Sequence, residues 1–275
     1  MNEAISSSRG ERWLRALAGK PVGNAPVPYS DAALGDDQAR FIAVVPDPEN
    51  RFPRARENVI GLEQGWRLAQ AVREVIDTDA QASKRRPIVA IVDVKSQAYG
   101  YREEMLGIHL ACAAAVDAYA SARLAGHPVV ALIVGPAMSG AFLAHGYQAN
   151  RILALDAPGT MVHAMGKEAA ARVTRRCVEA LDALGETITP MSYSLTGGFA
   201  KLGLLDRLIE GVDADNPTDA QIAKVHAALV EAVASARVGS RELSRRLESD
   251  TARATRAASI EVRRRLAVQW DADVV

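Results

Sequence analysis

The stretch HPVVALIVGPAMSGAFLAHGYQANRILAL, His127 to Leu155, decides how this chain is read. An apolar, β-branched run from Val129 to Val134 ends at Gly135. A loop of small residues follows, then an apolar segment of helical character, then a second strand-like run, Asn150 to Leu155. Strand, loop, helix and strand in that order make a parallel β–α unit. The loop where such a strand feeds a helix is also a common place for chemistry.

Working outward, RPIVAIVDV, Arg86 to Val94, is nearly continuous in apolar character and suits a strand covered on both faces. The loop KSQAYGYREE leads into a helix expected from Glu103 to Ala125. Glu103 and Glu104 suit its first turn, and Gly126 and Pro128 stop it. Upstream, Leu62, Trp66, Ala69, Val72 and Ile76 recur at helical spacing, and Arg40 to Pro46 reads as a first strand. GKPVGNAPVPYSDAALGDD is rich in Pro, Gly and Asp and reads as an arm or loop. Downstream, GTMVHAMGKEAAARVT runs into a helix, and TGGFAKLGLLDRLIEG gives a Gly-rich turn, a short helix and a strand-like piece. Thr218 and Gln221 then have capping-box spacing ahead of the apolar stripe Ile222, Val225, Leu229 and Val233. The expected organisation is an arm over 1–37, an α/β domain over 38–215 and a helical extension over 216–275.

The chain has 33 basic and 33 acidic side chains, so no net field draws it to nucleic acid or an anionic membrane. No run approaches the roughly 20 apolar residues of a membrane span, and MNEAISSSRGERWLRALAGK lacks the apolar core of a signal peptide. Cys112 and Cys177 read as packing residues, and two cysteines fit a reducing cytoplasm. There is no HExxH and no paired CxxC, so no metal is expected. From Arg237 to Arg265 nine arginines face four acids; a solvated helical face is the plainer reading, a docking surface for an acidic partner or phosphate the sharper one.

The small-residue loop fails three motif tests. Gly135 and Gly140 have P-loop spacing, but Ala141 and Phe142 stand where Lys and Ser/Thr are needed. Ser139 lacks the flanking glycines of a nucleophile elbow. The spaced glycines of a dinucleotide site are missing. What survives is a helix start whose main-chain N–H groups, near Ser139, Gly140 and Ala141, lie within reach of a ligand oxygen. Such donors suit a developing oxyanion. A tight junction that simply needs small residues is the competing reading.

RPIVAIVDVKSQAYGYREE, HPVVALIVGPAMSGAFLAHG and NRILALDAPGTMVHAMGKEAA together resemble the carboxyltransferase branch of the crotonase-like superfamily. With VVPDPENRFPRAR near the front, the resemblance over residues 40 to 215 is to the gamma-subunit family of biotin-independent malonate decarboxylases. It implies a crotonase-like β-β-α superhelix with parallel sheets and C-terminal helices. It also implies a beta-subunit partner, an acyl carrier protein partner bearing the substrate on a CoA-like thioester arm, and no cofactor held by this chain. Ala137, Met138 and Ala141 stand where the carboxylase pattern has glycines, and QAYGY replaces Gly-Ala-Tyr-Pro-Gly. Loss of biotin dependence implies such changes.

On that resemblance, backbone donors at Ser139, Gly140 and Ala141, with a second set at Tyr99 and Gly100, would stabilise the enolate left when CO2 departs. Tyr99, His163 or a water would return the proton. Met138 and His145 are candidate lining residues, and Lys167 and Arg172 candidate contacts for a phosphate of the carrier arm. His163 and Ser139 also have plainer readings, as a buried histidine and a helix cap. A rival reading, a Clp-type serine hydrolase, uses Ser139 and His163, 24 residues apart, with Asp206 or Asp213 as the third member. Two more readings stay open: a carboxyltransferase subunit of an acyl-CoA carboxylase, and a non-catalytic scaffold for the partner subunit.

Overall fold

The computed structural model describes residues 8–22 and 26–272. The chain divides into two compact units: one up to Gly166 with Arg207–Arg241, and one of Lys167–Asp206 with the chain from Glu242 onward. In chain order the first elements are α1 (Arg9–Ala18), β1 (Tyr29–Leu34), β2 (Asp37–Ala43), β3 (Val59–Ile60), α2 (Leu62–Thr78), β4 (Ile88–Val94), β5 (Ser96–Gln97), α3 (Tyr101–Met105) and α4 (Ile108–Leu124). There follow β6 (Val129–Met138), α5 (Ser139–Ala144), β7 (Arg151–Leu155), β8 (Met161–His163), α6 (Lys167–Thr174), α7 (Val178–Thr187), β9 (Arg207–Ile209), α8 (Asp219–Val238), α9 (Asp250–Thr255) and α10 (Ala257–Ala272).

The first unit is built on one sheet in the order β1-β2-β4-β6-β7-β9, with β8 paired to the far end of β6. Among the described strands of this sheet β1–β2 pair antiparallel and the other pairings are parallel. Parallel strands are buried on both faces, which is why β4 and β7 are buried along their whole length and apolar but for Asp93 and Arg151. A separate two-stranded parallel pair, β3–β5, holds the segment just after β4.

On one face, α2 and α4 pack against each other at close range. A Cβ on Gly65 would lie 2.6 Å from the Ala111 carbonyl oxygen, so only glycine permits that approach. On the other face, α1 and α8 join a core that includes Trp13, Leu14, Phe41, Val89, Leu132, Leu153, Val225 and Leu229. In the second unit, Ala170, Ala171 and Leu181 form a small core from α6 and α7.

Several expectations are corrected. The stretch expected to be an arm contributes α1 and β1 to the core. Trp13 is fully buried and its indole N–H donates to the Ala214 carbonyl at 3.0 Å. The strand expected first, at 40–46, is the second and spans Asp37–Ala43, because it is one arm of a hairpin with β1 closed by Gly35–Asp36, with Gly35 at φ +60°. The helix expected from Glu103 to Ala125 is two, because Gly107 takes a left-handed φ of +83° between α3 and α4. Where a Gly-rich turn was expected, Leu195–Phe199 forms a π-helical turn capped by the Ser194 hydroxyl.

Four arginines of the C-terminal run make internal ion pairs. Arg237 pairs with Asp37, Arg245 with Asp206, and Arg264 and Arg265 both with Glu261. No described helix is long and apolar enough to cross a membrane. Among the described residues no group of three or more His, Cys, Asp or Glu is placed to hold a metal ion.

Candidate functional site

The site is set by a flaw in one strand pairing. β4 and β6 run in register from Ile88↔Val129 to Val92↔Ile133, but the next pair is Val94↔Ala137. One residue of β4, Asp93, therefore lies opposite three of β6, Val134 to Pro136. Bulges of this kind re-aim the strand beyond them. Before the bulge β6 pairs with β7, at Val130–Ile133; after it, Pro136–Met138 pair with β8 instead.

A buried carboxylate occupies the bulge. Asp93 is only 4% exposed. Its Oδ2 accepts from the Gly10 N–H at the start of α1 at 3.1 Å and from Asn58 Nδ2 at 2.9 Å. Arg9, one residue earlier, clamps Asp215 through two bonds of 2.8 and 2.6 Å and reaches the Val134 carbonyl at 3.3 Å. Burial pushes the Asp93 carboxyl above its usual range, against the pull of the Gly10 N–H and the Arg9 charge. Gly135 is required here by space: a Cβ would lie 2.3 Å from Asp93 Oδ1.

Past the bulge, Met138 is buried and pairs in register with His163. Ser139 then takes φ +58°, a left-handed conformation uncommon for a residue with a Cβ. It does not cap α5: the N-cap is Met138, with no side-chain bond. Ser139 and Gly140 are half-buried, and Ala141 is fully buried. The Gly140 N–H donates to Gln97 Oε1 at 3.0 Å. Gln97 opens the QAYGY string, where the carboxylase pattern has its first glycine, but it is not among the site residues expected from the sequence. Just beyond it, Tyr99 is 57% exposed, and Gly100 sits where a Cβ would meet Arg54 Nε at 2.6 Å.

One expected site residue, His145, does not line the loop. His145 is fully buried. Its Nε2 faces the Ile91 carbonyl at 2.9 Å and its Nδ1 the Tyr119 hydroxyl at 3.0 Å. A carbonyl only accepts, so Nε2 carries the proton and Nδ1 accepts from Tyr119. Burial holds this imidazole neutral, with its pKa pushed down to about 4. Both nitrogens are taken, so His145 is a core residue rather than a lining one.

Lys167 and Arg172 belong to α6 in the second unit. Lys167 pairs with Asp182 at 2.6 Å, and Arg172 is exposed. Cys112 is half-buried, its thiol pushed up to about 11 by burial and then by Glu104. Cys177, expected to be a packing residue, is exposed at the start of α7.

The acids offered for a serine-hydrolase constellation are bonded elsewhere. His163 Nδ1 faces the main chain of Met165, at 3.2 Å from its oxygen. Asp213 caps the amides of Asp215 and Asn216, and Asp206 pairs with Arg245. A strand-end loop with main-chain donors, small residues and a neighbouring carboxamide is equipped instead to hold a ligand oxygen that gains negative charge.

Comparison with known proteins bears on that chemistry. Residues 55–270 match the family model for the malonate decarboxylase gamma subunit, MdcE. A malonyl-S-ACP:biotin-protein carboxyltransferase of Malonomonas rubra, MADD, is 39% identical over 186 residues, 66% of this chain; the chain spans 63% of that relative's length. A chain of a Pseudomonas malonate decarboxylase hetero-tetramer, solved in complex with coenzyme A, is 52% identical with a TM-score of 0.89, covering 96% of this chain and all of that one. A chain of the Pseudomonas MdcD–MdcE hetero-dimer is also 52% identical, with a TM-score of 0.86 and the same coverage. Transcarboxylase 12S, at 20% identity and a TM-score of 0.60 over 87% of this chain and 46% of that one, shares the fold. The fold is that of the crotonase-like carboxyltransferases.

Proposed function

The chain belongs to the malonate decarboxylase gamma-subunit family, and from that premise we propose that it pairs with a beta subunit to release CO2 from a malonyl thioester. The thioester is carried on the CoA-like arm of an acyl carrier protein, and biotin takes no part. The observation that supports this reading best is the split end of β6, which presents Met138, Ser139 and Gly140 beside His163 and Gln97.

When malonyl thioester loses CO2, the electron pair of the breaking C–C bond flows toward the thioester carbonyl and makes an enolate. The carbonyl oxygen gains charge, so donors must already point at it. The candidates are the main-chain N–H groups of Ser139, Gly140 and Ala141, with Tyr99 and Gly100 as a second set. One such donor is worth about 3 kcal/mol of barrier. Tyr99, His163 or a water then protonates the α-carbon. Met138 lines the loop, and Lys167 and Arg172 are proposed contacts for the phosphate of the carrier arm. The two free cysteines fit work in a reducing cytoplasm.

The test is to co-purify the subunits and replace Gly140 by Val, whose Cβ would crowd Gln97 Oε1 at 3.1 Å. Carbon dioxide release should fall by about 10²-fold or more with the complex intact. Unchanged turnover in an intact complex would sink the reading. The Malonomonas relative's name favours a second reading, transfer of the carboxyl group to a biotin protein. Avidin separates the two: direct decarboxylation proceeds in its presence, and transfer stops.

A further inference from the structure

The Gly140 N–H already has a partner, and the partner is a carboxamide. Gln97 Oε1 accepts from it at 3.0 Å. An N–H is met by the oxygen of an amide, so the bond settles which way round the group lies. Nε2, with two N–H donors, is left at the other corner of the planar carboxamide. No hydrogen bond from Nε2 occurs among the described residues.

The group is also held in place. Measured from where a Cβ of Gly140 would be, Gln97 Oε1, Cδ and Nε2 lie at 3.1, 3.3 and 3.6 Å, so the carboxamide lies across the glycine. Its main chain is anchored by β5: Gln97 pairs with Ile60, and the Ala98 N–H donates to the Ile60 carbonyl at 2.8 Å. The Ser96 hydroxyl adds a bond to the Gln97 carbonyl at 2.8 Å. The side chain is half-buried.

We propose that Gln97 is a catalytic residue of the decarboxylation: Oε1 is held by the Gly140 N–H, and Nε2–H donates to the enolate oxygen of the thioester. This rests on the decarboxylase reading and changes which donor at Gly140 meets the substrate. The main-chain N–H polarises the carboxamide, and the carboxamide meets the charge. Amide dipoles in line strengthen one another, and a donor fixed beforehand needs no reorientation when the charge appears.

The experiment uses the complex with its partner subunits and malonyl thioester on the carrier protein. Gln97→Ala should lower kcat by about 10²-fold with KM little changed, the mark of a contact made in the transition state. Gln97→Glu has the same shape and keeps an acceptor for Gly140, but loses the donor. It should be slow at neutral pH and regain rate as pH falls through the pKa of the introduced carboxyl, whose O–H then donates. A residue that merely shaped the loop would show no such recovery in acid.

A Gln97→Ala complex with kcat at or above the native value would overturn the proposal, since that is what removal of a plug over Gly140 would do. So would a Gln97→Glu complex whose pH profile parallels the native one. If Gly140→Val is slow while Gln97→Ala is normal, the decarboxylase reading stands and the Gln97 role is discarded. If Gly140→Val is itself normal, both fall together.

Discussion

Replacing Gly135 by alanine puts a methyl group where Asp93 already is. The new Cβ would lie 2.3 Å from Oδ1, 2.9 Å from Cγ and 3.4 Å from Cβ of Asp93, against a floor of 3.0 Å that real Cβ atoms essentially never cross. The backbone does not object, since Gly135 is not among the positive-φ residues; the whole effect is spatial. Asp93 has nowhere easy to go, because Gly10 and Asn58 hold its Oδ2 at 3.1 and 2.9 Å. Overpacking a tight core costs about 1–3 kcal/mol, and breaking hydrogen bonds to a charged group adds about 1.5–3 kcal/mol.

A loss of about 3–5 kcal/mol is therefore expected, a large share of a stability of ~5–15 kcal/mol. Urea unfolding of the chain reads it as a lower midpoint with an unchanged slope. Asp93→Ala alone should also destabilise, by about 2–4 kcal/mol, because it strands two buried donors. In that background the methyl enters vacated space, so the double variant should be more stable than the sum predicts, by about 1–3 kcal/mol. A Gly135→Ala loss under about 0.5 kcal/mol, or strict additivity, would refute the account of the bulge.

Three further outcomes are expected. Trp13→Ala should lower stability by about 3–5 kcal/mol, readable as a drop in melting temperature; no shift would mean that α1 is a loose arm after all. His145 has a folded pKa of about 4 against 6.5 unfolded, so the unfolded chain takes up its proton first. That part of the stability is whole above pH 6.5 and declines as pH falls toward 4, by roughly 3 kcal/mol in all. Urea midpoints across that range should show the decline, and His145→Asn should remove it. Finally, a serine-directed phosphonate should leave Ser139 unlabelled, because His163 Nδ1 faces the Met165 main chain; mass-spectrometric detection of an adduct at Ser139 would restore the hydrolase reading.

Some features that composition hid are nevertheless written in the sequence. Ser8 and Glu11 have capping-box spacing, and Gly19 follows the last turn at φ +73°; together they announce α1, and the Ser8 hydroxyl does accept from the Glu11 N–H. Gly35–Asp36 between YSDAAL and DQARFIA is a hairpin signal. The Pro- and Gly-rich composition nearby outweighed both. Asp93 inside IVAIVDV is a clue of another kind: a carboxylate in a strand buried on both faces must have donors waiting.

The sequence by itself determined the β–α alternation, the apolar strands β4, β6 and β7, the face of α8 and the small residues of the β6 loop, but not the face of α2, where Trp66 of the expected stripe is 51% exposed. These follow from periodicity and from residue types acting over a few neighbours, so they are local. Only the tertiary structure decided the rest. The bulge depends on Asp93 meeting Gly10, 83 residues away. The occupied Gly140 N–H depends on Gln97, 43 residues away. The burial of His145 depends on Tyr119 and Ile91, 26 and 54 residues away. A hydrogen bond is set by distance and direction between two atoms, and no local pattern states which distant segments the sheet will bring within about 3 Å of each other.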